Sequence, residues 1–262
     1  MQTGPDPEKA QAGSCGIAVM AKASTPGGSK TRLVPPLTPD EAARCNTAFL
    51  RDVADNILAA AAQAPLAGYM AFGPPEARPF FQEILPREIG LIDAWYPSLG
   101  DCLLSTIVRL FELGHTSAIV LNADSPTLPT SLLVDTVGVL KQPGDRVVLG
   151  PADDGGYYLL GVKQAHRRLF QDIAWSTERV AQQTLDRAAE LRLPVHLLST
   201  WYDVDDIRAL KMLLAELFEA RSFAPDVRPN RPRHTHALMR SLLESSDLPH
   251  RLGGVALPRA AE

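Results

Sequence analysis

The sequence predicts an α/β fold of three layers around a mostly parallel central sheet. Two observations carry that expectation. Short apolar runs recur along the chain and alternate with segments of helical apolar spacing, the order of successive βαβ units. The runs are also continuously apolar, as in CGIAVMA at 15–21 and SAIVLNA at 117–123, which suits strands buried on both faces of a sheet. A chain of 262 residues is long enough to bury a self-sufficient core.

Residues 1–13 are polar and read as a flexible lead-in to a first strand at 15–21, which ends in a Lys/Gly/Pro-rich loop at 22–36. Thr38, Pro39 and Glu41 then supply an N-cap, a proline suited to the first helical position and the partner that completes a capping box. A helix is expected from there to about residue 63, with Phe49, Val53 and Ile57 at helical spacing. Further strands are expected at 66–72, 89–95, 117–123, 146–150, 157–162 and 195–198, and helices at 75–85, 99–113, 129–140, 177–191 and 205–220. The segment 221–262 changes character, with five Pro, seven Arg, three His and one short helical stretch at 236–243. It reads either as a basic tail packed loosely over the body or left unfolded, or as a lid or homodimer arm that carries basic groups to an anionic ligand.

Charge divides the chain at the same point. Residues 221–262 carry seven Arg against four acids, a net of +3, whereas residues 1–220 carry 19 basic against 26 acidic, a net of −7. An acidic body argues against nucleic-acid binding through a basic face, and it would need a metal ion to handle a phosphate ligand. Cys15, Cys45 and Cys102 are isolated, which excludes a disulfide framework and a thiolate zinc site and suits a reducing, cytoplasmic setting. The N-terminus lacks an apolar signal core, and no run approaches the roughly 18–20 residues of a membrane span.

Ligands of open α/β sheets bind beyond the carboxyl ends of the strands, so the residues that follow each run are the candidates. After the first strand, Lys22, Lys30 and Arg32 flank Gly27 and Gly28, a loop suited to bringing backbone and cations to an anion. It fails as a Walker A loop, because Ser24 stands at the first required glycine and Ser29 precedes Lys30. A generic phosphate loop or a plain basic turn remains. Asp124 ends an apolar strand, where a carboxylate either binds a metal or caps the next helix. Asp153, Asp154, Gly155 and Gly156 read as a hairpin turn, or as an acidic loop with backbone room for a sugar or base. Asp203 and Asp205, two apart in an extended segment, face the same way and can share one ion, although Asp205 or Asp206 is equally a natural cap for the last helix. Hard oxygen ligands of this kind suit Mg2+ or Mn2+ rather than zinc. Together the cationic glycine loop and three carboxylate clusters point to transfer chemistry on a nucleotide diphosphate.

The same clusters carry a family resemblance. The motifs are K-x-x-x-x-G-x-S-K-T-R-L from Lys22, N-x-D-S-P-x-L-P from Asn122, G-P-x-x-D-G-G-Y-Y-L-L-G from Gly150, W-S-T from Trp175 and W-Y-D-V-D from Trp201. As a set they resemble a glycosyltransferase-A-like family, the arsenosugar-biosynthesis glycosyltransferases or radical-SAM-associated transferases. More distantly, the chain is similar to phospholactate and molybdopterin guanylyltransferases. The resemblance spans about residues 15–218 and implies a Rossmann-like nucleotide-diphospho-sugar transferase domain over 14–220. It implies that Asp124, Asp203 and Asp205 hold Mg2+ or Mn2+, and that Lys22, Gly28, Lys30 and Arg32 bind the nucleotide phosphates. Ser176 and Thr177 match positions that bind an acceptor's anionic group, at an expected helix start suited to anions. Gly155, Gly156, Tyr157 and Trp175 are expected to shape the acceptor's side, with Asp154 and Lys22 as catalytic candidates. The expected reaction is glycosyl transfer from a nucleotide sugar to a small acceptor. The alternatives are nucleotidyl transfer from an NTP to a phosphorylated acceptor, with release of pyrophosphate, and a non-catalytic nucleotide-binding module. One departure stands out: Asn122-Ala123-Asp124 holds a single carboxylate where many glycosyltransferases carry D-x-D.

Overall fold

The computed structural model describes residues 13–219 and 221–253. The lead-in expected at 1–13, save its last residue, and the final stretch of the basic tail lie outside the described residues. Seven strands form one sheet: β1 Cys15–Ala21, β2 Leu66–Phe72, β3 Gly90–Asp93, β4 Ser117–Leu121, β5 Val147–Pro151, β6 Tyr157–Val162 and β7 Val195–Leu197, in the spatial order β3-β2-β1-β4-β6-β5-β7. Neighbours run parallel except at β6, which is antiparallel to both β4 and β5. Six strands therefore share one direction and β6 is reversed.

The helices are α1 Pro39–Ala61, α2 Arg78–Ile84, α3 Leu99–Glu112, α4 Thr130–Lys141, α5 Val180–Glu190, α6 Ile207–Phe218, α7 Arg233–Ser245 and α8 Leu248–Arg251. They cover both faces of the sheet, giving the three layers that the sequence predicts. Along β1, Ile17 and Val19 enter the core that holds Phe49, Met70, Leu133 and Leu213, while Ala18 enters the one that holds Ile107, Leu110 and Leu160. Successive strand residues point to opposite faces, so a strand covered on both sides is apolar at every position. No helix among the described residues is long and apolar enough to cross a membrane.

Local signals set the start of α1. Thr38 Oγ1 accepts from the Glu41 amide at 3.2 Å, and Glu41 Oε2 accepts from the Thr38 amide at 2.8 Å. Arg251 then pairs with both Glu41 oxygens at 2.8 Å, tying α8 to the first turn of α1. The short helical stretch expected at 236–243 is the middle of the longer α7. Its cap comes from a distant side chain: Asp52, on α1, accepts from the His234 and Thr235 amides at 2.9 and 2.7 Å. Met239, Leu242, Leu243, Leu248 and Leu252 join the core on the α1 side of the sheet. Two boundaries also move. The strand expected at 89–95 stops at Asp93, and the helix expected to begin at 177 begins at Val180.

At the amino end of the strands, His115 is 4% exposed, with Ser14 Oγ 2.9 Å from Nδ1 and Tyr69 Oη 2.8 Å from Nε2. Burial holds this imidazole below its ordinary value of 6.5, with Ser14 opposing. The folded chain therefore refuses a proton that the unfolded chain accepts. Its contribution to stability is intact above about pH 6.5 and is lost as the pH falls below that value. The decline in melting temperature below pH 6.5 should be shallower in His115→Gln than in the wild type. Parallel pH profiles for the two proteins would remove His115 from the acid response.

Candidate functional site

The candidate residues gather at one edge of the sheet, formed by the carboxyl ends of β1, β4, β5 and β7 and by the amino end of the reversed β6. After β1, the Gly28 and Ser29 amides both bond to the Thr25 carbonyl, at 2.9 and 3.0 Å, around Gly27 with its φ of +72°. The turn consumes those two amides. What the loop presents is therefore side-chain charge, in place of the backbone approach to an anion that its glycines suggest.

Lys30 sits at a φ of +49° and turns its side chain inward. Its Nζ lies 2.6 Å from Asp124 Oδ1, 2.9 Å from Asp205 Oδ1 and 3.0 Å from the Val204 carbonyl, with 5% of the side chain exposed. Burial alone lowers the pKa of this ammonium, but Asp124 and Asp205 outweigh it and hold the group charged, above the usual lysine value. Arg32 pairs with the other Asp205 oxygen and leaves most of its own side chain in solvent. Burial pushes the Asp205 pKa up, yet Lys30 and Arg32 bring it below the usual carboxylate range. Lys22 is exposed, and its carbonyl accepts from Asn46 Nδ2 at 3.2 Å.

The capping alternatives separate cleanly. Asp206 caps α6, its Oδ1 accepting from the Ala209 amide at 2.8 Å, which leaves Asp205 to Lys30. Helix α4 begins at Thr130 without a side-chain cap, so Asp124 has no such role there. Asp203 Oδ1 accepts from Asn122 Nδ2 at 2.6 Å and from Ser125 Oγ at 2.8 Å. Burial first, then repulsion by Asp124, pushes the Asp203 pKa up to about 7, with Asp154 and Asp205 adding and Ser125 opposing.

Residues 152–156 form a hairpin turn between the antiparallel β5 and β6, with Asp154 Oδ1 accepting from the Gly156 amide at 2.8 Å and Asp154 exposed. The Gly155 carbonyl accepts from the Ala181 amide at 3.0 Å, so the hairpin docks on the first turn of α5 and, at Glu178, on the segment that leads into it. Ser176, at a φ of +63°, and Thr177 are exposed in that segment. They precede α5, which begins at Val180, and the Thr177 hydroxyl donates to the Ala174 carbonyl at 2.7 Å. Tyr157 and Trp175 pack into the core opposite α1, and the Tyr157 hydroxyl is buried without a partner. Lys30, Arg32, Asp124, Asp203 and Asp205 thus form one cluster. Among the described residues, no side chain of Lys22, Ser176 or Thr177 bonds to it.

Sequence reasoning missed several supports of this cluster. Asn122 and Ser125 flank Asp124 as polar residues in an apolar setting, a signal that was available. The Val204 carbonyl has no sequence signal. Nor does the brace behind the loops: the Asn230 amide donates to the Thr127 carbonyl at 2.9 Å, Asn230 Nδ2 donates to the Pro126 carbonyl at 3.2 Å, and Phe223 lies 5.5 and 5.1 Å from the rings of Trp201 and Tyr202.

Asp124, Asp203 and Asp205 do not close into a tight ligand set, since Lys30 stands between the first and the last. Among the described residues, the His, Cys, Asp or Glu group with ligand atoms within 4.8 Å of one another is Asp52, Asp55 and His234, where Arg233 already pairs with Asp55 at 2.8 Å. The strand-end cluster nevertheless fits a hard cation on two grounds. Asn122 Oδ1 is buried without a partner. Three acids also crowd Asp203, whose own bonded partners are neutral.

A model of the family described as "Uncharacterized protein conserved in bacteria (DUF2064)" matches residues 56–177. No curated protein matches the chain in sequence. Among solved structures, a candidate nucleotide-diphospho-sugar transferase from Desulfovibrio desulfuricans G20 superposes with a TM-score of 0.75 at 24% identity, covering 92% of this chain and 99% of that one. A cytidylyltransferase from Leptospira borgpetersenii serovar Hardjo-bovis gives a TM-score of 0.50 at 10% identity, over 94% of this chain and 99% of the other. A 4-diphosphocytidyl-2C-methyl-D-erythritol synthase from Anaerococcus prevotii gives 0.50 at 7% identity, over 78% and 99%. The fold is that of the nucleotide-diphospho-sugar transferases.

Gly155 combines a φ of +89° with a position where an added Cβ would lie 2.2 Å from the Glu178 carbonyl oxygen. At Gly156 the nearest atom, Asp154 Oδ1 at 3.0 Å, ends a side chain that can move. Gly155→Ala should therefore cost about 2 kcal/mol or more in thermal denaturation, and Gly156→Ala clearly less. Equal losses would contradict the docking of the hairpin on the 174–179 segment.

Proposed function

We propose that this chain is a metal-dependent transferase that uses a nucleotide-diphosphate donor, and that it moves a glycosyl group from a nucleotide sugar to a small acceptor. One observation carries the reading. Carboxylates from two strand-end loops, Asp124 after β4 and Asp205 after β7, meet the cations of the loop after β1 at the carboxyl edge of the sheet, with Asp203 close enough to be repelled by both. The likeness of the fold to a candidate nucleotide-diphospho-sugar transferase supports it.

In this reading each residue acts by its own chemistry. Arg32, largely in solvent, is the mobile clamp for the donor's phosphates, and Lys22 is a second one at the mouth of the loop. Lys30 is too buried to swing freely, so it fixes Asp124 and Asp205 and offers a positive charge beneath the diphosphate. Gly28 closes the turn that holds these cations in place. Mg2+ or Mn2+ held by Asp124, Asp203 and Asp205 would, when bound, supply the charge neutralisation that a departing diphosphate needs. On the other side, Gly155 is packed against the Glu178 backbone and leaves no room, so Gly156 is the glycine that borders the acceptor. Tyr157 and Trp175 shape its surroundings from the core beneath, and Ser176 offers an exposed hydroxyl to its polar groups while Thr177 fixes the turn before it. Asp154, exposed at the hairpin tip, is the general base that takes the acceptor's proton.

A second reading uses the same cluster for nucleotidyl transfer, with attack at the α-phosphate of an NTP and loss of pyrophosphate. The Leptospira cytidylyltransferase, which shares the fold, favours keeping it. Incubation with Mn2+, an acceptor panel and either nucleotide sugars or NTPs separates the two. Nucleoside diphosphate release from nucleotide sugars is the expected outcome. Pyrophosphate release from NTPs would transfer the assignment to the second reading, and binding without turnover would leave a nucleotide-binding module. Thermal-shift screening of UDP-, GDP-, ADP- and CDP-linked ligands should reveal the donor, since ligand at one hundred times its Kd stabilises by roughly 2.7 kcal/mol.

A further inference from the structure

The sheet edge continues beyond the carboxylate cluster, through β2 to β3, and ends in an aromatic surface. Trp95 is 62% exposed, Tyr96 49% and Leu99 45%. Three of the seven large apolar side chains that stand exposed among the described residues thus fall within five residues, which marks a patch rather than scattered background. The patch is held in place. The Ala94 amide donates to the Phe72 carbonyl at 2.8 Å, so the chain stays pinned to the end of β2 after β3 ends. The indole lies directly against Gly73, where an added Cβ would come within 2.4 Å of Trp95 Cε3. On the far side, the Tyr96 carbonyl accepts from Cys102 Sγ at 3.6 Å, and Ser98 Oγ caps α3 by accepting from the Asp101 amide at 3.1 Å. An indole fixed by its neighbours and still largely in solvent gives a preformed stacking surface with little ordering left to do on binding.

Its location selects the occupant. Strand β3 lies two strand spacings from β1, about 10 Å, on the side away from the β5–β6 hairpin. Phosphates over Lys30 and Arg32 leave the acceptor on the hairpin side, and the nucleoside then extends along the edge toward β3. We infer that Trp95, with Tyr96 beside it, is the stacking platform for the donor's nucleobase. The inference rests on the proposed transferase reading, in that it takes the cationic loop as the phosphate site. The contact is between planar faces, so it adds affinity for any base more than it selects among them.

Calorimetry with Mn2+ tests this on the wild type, Trp95→Ala and Trp95→Phe, using GDP, UDP and inorganic pyrophosphate as titrants. Trp95→Ala should weaken both nucleoside diphosphates by about 10-fold, within the range carried by base stacking on an aromatic side chain, and leave pyrophosphate unchanged. Trp95→Phe should retain most of the affinity. Unchanged nucleotide binding in Trp95→Ala would overturn the platform and point to another occupant, such as a protein partner or an apolar acceptor. An equal loss of pyrophosphate binding would also overturn it, by exposing a general disturbance of the edge. If the wild type binds pyrophosphate and neither nucleotide, the platform falls while the phosphate site stands. If it binds none of the three, the transferase reading falls with it.

Discussion

The ammonium of Lys30 is the interaction on which the site depends. Taking a charge of this kind out of water costs several kcal/mol unless it is paired and hydrogen-bonded. Here two carboxylates and a carbonyl provide the pairing, from residues 94 to 175 positions further along the chain. The Lys22–Arg32 loop, the end of β4 and the loop after β7 are thereby fastened at one point. Charge also explains why the arrangement holds together. Three carboxylates so close repel one another, and the cations after β1 pair with Asp124 and Asp205 while Asp203 keeps only neutral partners.

The rest of the fold serves that junction. The loop bearing Asp203 and Asp205 is anchored by Trp201 and Tyr202, both fully buried. Tyr202 Oη donates to Glu216 on α6 at 2.7 Å and accepts from Thr127 Oγ1 at 3.1 Å. Glu216 also accepts from the Phe223 amide at 3.2 Å, so the segment after α6 is tied into the same network. Buried hydrogen-bond networks of this kind fix one arrangement of a loop, because a partly broken one is costly. Reversal of β6 is a second service. It brings the Asp153–Gly156 hairpin to the same edge as the parallel strand ends, beside the charged cluster.

Much of this was legible because its causes are local. The capping box of α1 needs only Thr38 and Glu41, three apart, and the buried strands announce themselves as continuous apolar runs. Acids at the ends of such runs, Asp124 above all, stand out because burial there demands a partner. The misses share a non-local origin. The start of α7 depends on Asp52, which lies 182 residues from His234, and no neighbouring residue signals it. The strand expected at 89–95 ends early because its partner strand runs into Gly73 and Pro74, and proline offers no amide to extend the ladder. That early end is what turns Trp95 out of the sheet and onto its edge. Likewise, nothing in Gly27-Gly28-Ser29 reveals that the turn would consume its own amides and drive Lys30 inward.

The most direct test of the account is the binding of Mn2+ followed by electron paramagnetic resonance, with and without a nucleoside diphosphate, in the wild type and in Asp124→Ala. A jointly held cluster predicts that the nucleotide strengthens Mn2+ binding in the wild type and that Asp124→Ala loses this effect. Full metal-dependent nucleotide binding in the folded Asp124→Ala protein would contradict it.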